Sequence, residues 1–369
     1  MLDVTALLQR QRRIAADGAA DGVARGKGSI VKGRGRTRKL NLALQGGGVH
    51  GAFTWGALER LLQDEAFELG WISGASAGAI NAVAVAHGLV HGGEKAAVEA
   101  LGGLWHAVEQ AQLPDLVKLN PFMVGLMRAA PVSSMAGMLS PYEFNPLGFD
   151  PFRRLLEEHI DFDGIREKAP CELLISATNV ETGRARIFRR SELTVDVVLA
   201  SACLPLLHHA VTIDDAAYWD GGFSANPALM TLATDSPVRD TLLIQLNPTV
   251  KREVPRTPAK ISDRATTITF NQPLLRDIDE IIRAQRERGR WFGSDSRLSN
   301  IKRHRFHLIE AGRHLSGLHS DTKVKADKGL LRYLHNAGRA EAQKWLERDA
   351  PSVGKKSSVD LKAKYWDAV

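Results

Sequence analysis

The sequence predicts an α/β fold, a three-layer α/β/α sandwich around a mostly parallel central sheet. Short apolar segments of strand length alternate with helical ones, the order expected when crossover helices cover both faces of a parallel sheet. The first two such strands each run into a glycine-rich turn that opens a helix. With 369 residues, 44% of them hydrophobic and 25% charged, the chain can bury a sizeable core.

Residues 1–38 are rich in Gly, Ala, Arg and Lys without a sustained period and are expected to form a basic flexible arm. The folded domain is expected over 39–311. Its first strand is 40–45, broken by Gly46-Gly47-Gly48, after which 52–64 has helical periodicity. A second strand over 71–73 runs into Gly74-Ala75-Ser76-Ala77-Gly78, and 79–90 follows as a small-residue apolar helix. Further strands are expected at 172–178, 185–189 and 241–246. Between residues 120 and 146, Met123, Met127, Met135 and Met138 stand among three prolines. Such a segment either repacks around varied apolar ligands or fills core gaps. Residues 312–369 read as a helical extension with a basic tail. Within it, 326–349 is amphipathic, and the stretch after Ser352, with Lys355, Lys356, Lys362 and Lys364, is expected to fray.

The formal charge is +7 and the pI near 9.4. Arg25, Lys27, Lys32, Arg34, Arg36, Arg38 and Lys39 form a run that is either a solvated arm or an attractor of anionic lipid headgroups or nucleic acid. No nucleic acid is expected as a partner, because no aromatics interleave the run and no recognition-helix pattern follows it. Cys171 and Cys203 are the only cysteines and lack metal-ligand spacing, so neither a disulfide framework nor a metal site is expected. The apolar stretch at 4–8 is too short for a secretory or membrane-spanning segment, which makes a cytoplasmic protein the default expectation.

Three elements carry chemistry. Gly74 to Gly78 is a GxSxG pentapeptide, fitting a nucleophile elbow in which Ser76 sits on a tight strand-to-helix turn. The following helix aims its N-terminal N–H groups at the serine, where they favour negative charge. The loop Gly46-Gly47-Gly48-Val49-His50-Gly51 lets backbone amides approach a ligand oxygen and is an oxyanion-hole candidate. It is also a literal GxGxxG, but the next strand runs into Ser76 rather than ending in the acid that a dinucleotide site needs. The third element is Asp220-Gly221-Gly222, whose aspartate at a strand end can reach into a crowded site but which in isolation reads rather as a hairpin turn.

Together these motifs resemble the patatin-like phospholipase family, whose pattern is a glycine-rich oxyanion loop, a GxSxG serine on the next strand and a later DGG or DGA aspartate. Only 28 positions separate Gly48 from Ser76, as consecutive strands require. The stretch Ala200-Ser201-Ala202-Cys203-Leu204-Pro205 and the later Asn226-Pro227 are also similar to the family's segments flanking its aspartate. The resemblance covers about residues 40–250. It implies a serine acyl hydrolase of the lipase or phospholipase A type without metal or organic cofactor. Ser76 and Asp220 would be catalytic; Gly46, Gly47, Gly48 and Gly51 would line the oxyanion hole; Gly74, Gly78, Gly221 and Gly222 would shape the elbow and the aspartate turn. It also implies an acyl-ester lipid substrate; the positive net charge separately favours an anionic lipid surface, with the basic arm and the Met-rich segment as the places to look for peripheral contact.

Two positions depart from the pattern. His50 stands where many members carry Arg or Lys, and His208-His209 stand where aromatic residues or proline are common, as an added base or as packed imidazoles. Of the later histidines, His304, His307, His314, His319 and His335, none is marked by its context as a triad member. Two other functions compete. A lipid-binding or regulatory protein with an idle site would leave Ser76 unreactive to a fluorophosphonate. A nucleotide-dependent oxidoreductase using Gly46, Gly48 and Gly51 would bind NAD(P)H.

Overall fold

The computed structural model describes residues 38–64, 66–110, 140–148, 150–287, 296–315 and 327–367. Residues 1–37 of the basic arm and Met123, Met127, Met135 and Met138 lie outside them. Residues 38–369 cluster as one compact unit. Its sheet is built from β1 (Arg38–Leu44), β2 (Phe67–Gly74), β3 (Glu172–Asn179), β4 (Ala185–Arg189), β5 (Val211–Ile213), β6 (Ala216–Asp220), β7 (Asp240–Gln245) and β8 (Arg305–Glu310). The order is β5-β6-β3-β2-β1-β7-β8, with β4 also paired to β3. The β1/β2, β1/β7, β2/β3 and β7/β8 pairs are parallel, whereas β4, β5 and β6 pair antiparallel. The sheet is therefore mostly parallel, as the sequence predicts.

Side chains alternate across a strand, so a sheet covered on both faces must divide each strand between two cores. In β1, Leu42 and Leu44 enter one apolar cluster and Ala43 the other; β3 divides Leu173 and Ile175 from Leu174 in the same way, and β7 divides Leu242 and Ile244 from Leu243. The first cluster is closed by α1 (Gly51–Leu62), α2 (Ala77–Gln110, kinked at Gly92 and Gly93), α3 (Val195–Ser201) and α6 (Lys328–Arg348). The second is closed by α4 (Leu229–Asp235), α5 (Pro258–Arg286) and α7 (Leu361–Tyr365). Those are the three layers.

The C-terminal residues pack into the main body, and one part of their reading needs correction. Helix α6 packs on α1 so closely that a Cβ at Gly56 would lie 1.9 Å from the His335 carbonyl oxygen, and one at Gly338 1.9 Å from that of Phe53. The amphipathic stretch read over 326–349 is thus one helix packed on the main body. The stretch after Ser352 is anchored, not frayed. Val353, Leu361 and Tyr365 are buried, and the Tyr365 hydroxyl donates to Gln245 Oε1 at 2.5 Å. The lysines suggested a solvated tail, but the apolar residues between them decide its fate.

Candidate active site

Strand β3 brings the motifs together. Gly74, at the end of β2, lies opposite Ile175, and Asp220, at the end of β6, lies opposite Ala177. The elbow and the aspartate thus meet two rungs apart on one strand. Ser76 occupies the turn into α2 with φ of 52°, a left-handed conformation that costs a non-glycine residue on the order of 1 kcal/mol or more. Its backbone N–H is held by both the carbonyl (3.1 Å) and the hydroxyl (3.0 Å) of Ser201. Two residues on, the Cys203 carbonyl accepts the Asp220 N–H at 2.8 Å. One short stretch at the end of α3 therefore fixes the backbones of both residues.

Asp220 is completely buried, and Ser76 is 8% exposed. Burial pushes the Asp220 carboxyl up to about 7, against the opposing pull of the Gly222 N–H and the Ser76 hydroxyl. The Gly222 N–H donates to Oδ1 at 2.7 Å, whereas Oδ2 is buried without a hydrogen-bond partner. The serine hydroxyl is close enough to act on the carboxyl but does not complete a hydrogen bond to Oδ2. Gly221 sits against the Ser176 carbonyl and Gly78 against that of Leu44.

The glycine loop abuts the elbow. A Cβ on Gly46 would meet the Ala75 carbonyl oxygen at 2.8 Å and Ser76 Cβ at 2.9 Å, so only glycine lets the loop come this near. The four loop glycines do not have equal roles. The Gly46 N–H donates to Asn226 Oδ1 at 2.7 Å, and that of Gly51 to the carbonyls of Gly48 and Val49. Both amides are occupied, so Gly46 and Gly51 shape the loop without offering it a free N–H. The amides of Gly47 and Gly48, and that of Ala77 at the start of α2, donate to no described group.

Support for the loop comes from residues the sequence did not single out for this task. Asn226 accepts from Gly46 while its Nδ2 donates to the Phe270 carbonyl at 2.9 Å. Gln45 Oε1 accepts the amides of Leu246 and Asn247, and its Nε2 donates to Asn271. The signal for Asn226 was its place beside Asp220-Gly221-Gly222; for Asn271, on a helix far along the chain, there was none.

No described histidine hydrogen-bonds Ser76 or Asp220. His208 is exposed, and His209 donates to the Pro141 carbonyl at 3.1 Å while stacking on Tyr142. His304, His307, His314 and His335 pair with Thr241, Asp240, Glu341 and Glu59 respectively. His319 lies outside the described residues. Among the described residues, no cluster of three His, Cys, Asp or Glu side chains converges as for a metal, and no helix is long and apolar enough to cross a membrane.

The mostly parallel sheet thus brings a serine elbow, a glycine loop and a buried aspartate together in one α/β protein. The patatin-like phospholipase family model matches residues 42–233, and the chain belongs to that family. Among solved structures, the chain is similar to VipD from Legionella pneumophila, with a TM-score of 0.38 and 14% identity over 84% of this chain and 67% of that one. It is also similar to the ExoU–SpcU complex from the type III secretion system of Pseudomonas aeruginosa, with a TM-score of 0.25 and 13% identity over 72% of this chain and 61% of the other. No curated protein matches the chain.

Proposed function

We propose that the protein hydrolyses fatty-acyl esters through a Ser76–Asp220 dyad. The observation that carries this reading is Asp220 Oδ2, a buried carboxylate oxygen without a hydrogen-bond partner beside a serine held in an elbow. A carboxyl near 7 is poised to accept a proton at neutral pH. Oδ2 takes the hydroxyl proton as Ser76 Oγ attacks the ester carbonyl. The tetrahedral oxyanion is met by the amides of Gly47, Gly48 and Ala77, aided by the N-terminus of α2. Collapse expels the alcohol, which takes the proton from Asp220, and leaves an acyl-enzyme. Water activated by Asp220 then releases the fatty acid and restores the serine.

The substrate is an acyl-ester lipid, in keeping with the family. On the loop between Ser201 and Asp220, Leu206 is 82% exposed and Leu207 43%, an apolar pair suited to acyl chains. Both cysteines are buried free thiols, which supports a cytoplasmic setting, with the protein peripheral to lipid. The test is hydrolysis of a short p-nitrophenyl ester and of phospholipid vesicles, in EDTA, by wild type, Ser76→Ala and Asp220→Asn. Loss of turnover by about a thousandfold or more in both folded variants is expected. Activity retained in Ser76→Ala refutes the dyad, and a wild-type serine unreactive to fluorophosphonate identifies an idle site.

A further inference from the structure

The first half of α5 and the loop before it stand out from the body. Val250 (47% exposed), Val254 (74%), Ile261 (51%) and Ile268 (42%) are large apolar side chains open to solvent within one continuous stretch. On the helix, Ile261, Ala265 and Ile268 are spaced four and three apart, so they share one face, and all three are exposed. Scattered exposed apolar residues are ordinary, but a contiguous stripe asks for a partner. Burial resumes at Asn271, Pro273 and Leu274, where the helix joins the core.

The charges around the stripe say which partner. Lys251, Arg252, Arg256 and Lys260 are exposed, and Arg264 is half-buried. Against these five cations the stretch 250–268 has only Glu253 and Asp263, and Glu253 is paired to Lys260 at 3.5 Å. An apolar helical face flanked by an excess of Lys and Arg matches an interface of hydrocarbon and anionic headgroups, which takes up both at once. A groove on another protein would satisfy the isoleucines but leave the cations to chance.

The stripe also leads to the catalytic loops. Two residues beyond Ile268, Phe270 packs on Phe223 with ring centroids 4.7 Å apart, and its carbonyl holds the Asn226 that positions Gly46. We infer that the exposed half of α5, with residues 250–257, docks on an anionic lipid surface and so sets the Ser76 site beside its acyl-ester substrate. This rests on the hydrolase reading above, but docking itself requires no turnover.

The experiment therefore uses binding in a catalytically silent background. Full-length Ser76→Ala is sedimented with phosphatidylglycerol-containing and with pure phosphatidylcholine vesicles, and compared with Ser76→Ala carrying Ile261→Gln and Ile268→Gln, or Arg256→Gln and Lys260→Gln. Either pair should weaken binding to the anionic vesicles by about tenfold or more. The same pairs, placed in the active protein, should hydrolyse a soluble short ester at the wild-type rate, which also certifies folding. Unchanged vesicle binding in both pairs overturns the inference. So does a wild-type dimer in solution that the isoleucine pair splits while vesicle binding persists, since the stripe would then be a self-association face. Loss of soluble-ester turnover in Ser76→Ala is the separate test of the hydrolase reading.

Discussion

Asp220→Asn should kill the enzyme and stabilise the fold, and the gain should depend on pH in a way that follows from the geometry. The Asp220 carboxyl sits at about 7 in the fold against an ordinary value of 3.8. In that window the folded protein holds a proton that the unfolded chain releases, so the wild type loses stability as pH rises from about 4 to about 7 and then levels off. Each pKa unit is worth about 1.4 kcal/mol, which sets the cost of ionising the buried carboxyl at about 4 kcal/mol above pH 7. Asparagine keeps the oxygen that accepts the Gly222 N–H and carries no charge at any pH. Urea melts of both proteins should therefore differ little near pH 4, with the variant pulling ahead through pH 5 and 6 to a plateau of about 4 kcal/mol by pH 8. Equal midpoints at pH 4 and pH 8, or a variant weaker than wild type at pH 8, would refute the account of Asp220 as a buried base held near its threshold of ionisation.

Other outcomes follow from the same contacts. The base must be ionised to accept the serine proton, so kcat/KM for a soluble ester should rise with pH through about 7 and flatten above it. Asn226→Ala should cut kcat on that ester by about tenfold or more and lower stability by about 1–3 kcal/mol, measured in urea, because the Gly46 amide and the Phe270 carbonyl both lose their partner. Truncation after Ser352 should depress the melting temperature measured by circular dichroism, since it uncovers Leu361 and Tyr365 contacts and breaks the Tyr365–Gln245 hydrogen bond; an unchanged melt would mean that the tail does not support the core.

The parts legible in the sequence were those written in short range. β1 with its glycine loop, and β2 with its elbow, each place a periodic strand directly before turn residues. Sequence alone did not reveal the β5–β6 hairpin, because β5 is three residues long and its turn is Asp214-Asp215, both at positive φ, without the glycine that usually marks such turns. β8 was missed because Arg305 and His307 interrupt its apolar run; both hydrogen-bond Asp240, a pairing between strands that spacing does not encode. The site shows the same division. Ser76 and the aspartate turn are local motifs, but the division of labour among loop glycines depends on Asn226, Phe270 and Asn271, which arrive from far along the chain. Nothing in Gly46 to Gly51 says which amide is already occupied.

The stretch from Ser201 to Cys203 fastens Ser76 and Asp220 to one anchor, while β3 measures the interval between them. The two side chains are thus surveyed from a shared benchmark and not from each other along the chain. The described part of the connection from α2 to β3 belongs to the same frame, with Leu156 and Ile165 buried in the core and Arg153 paired to Asp196 on α3. A single residue added between Ser201 and Cys203 would move one of the two side chains relative to the other.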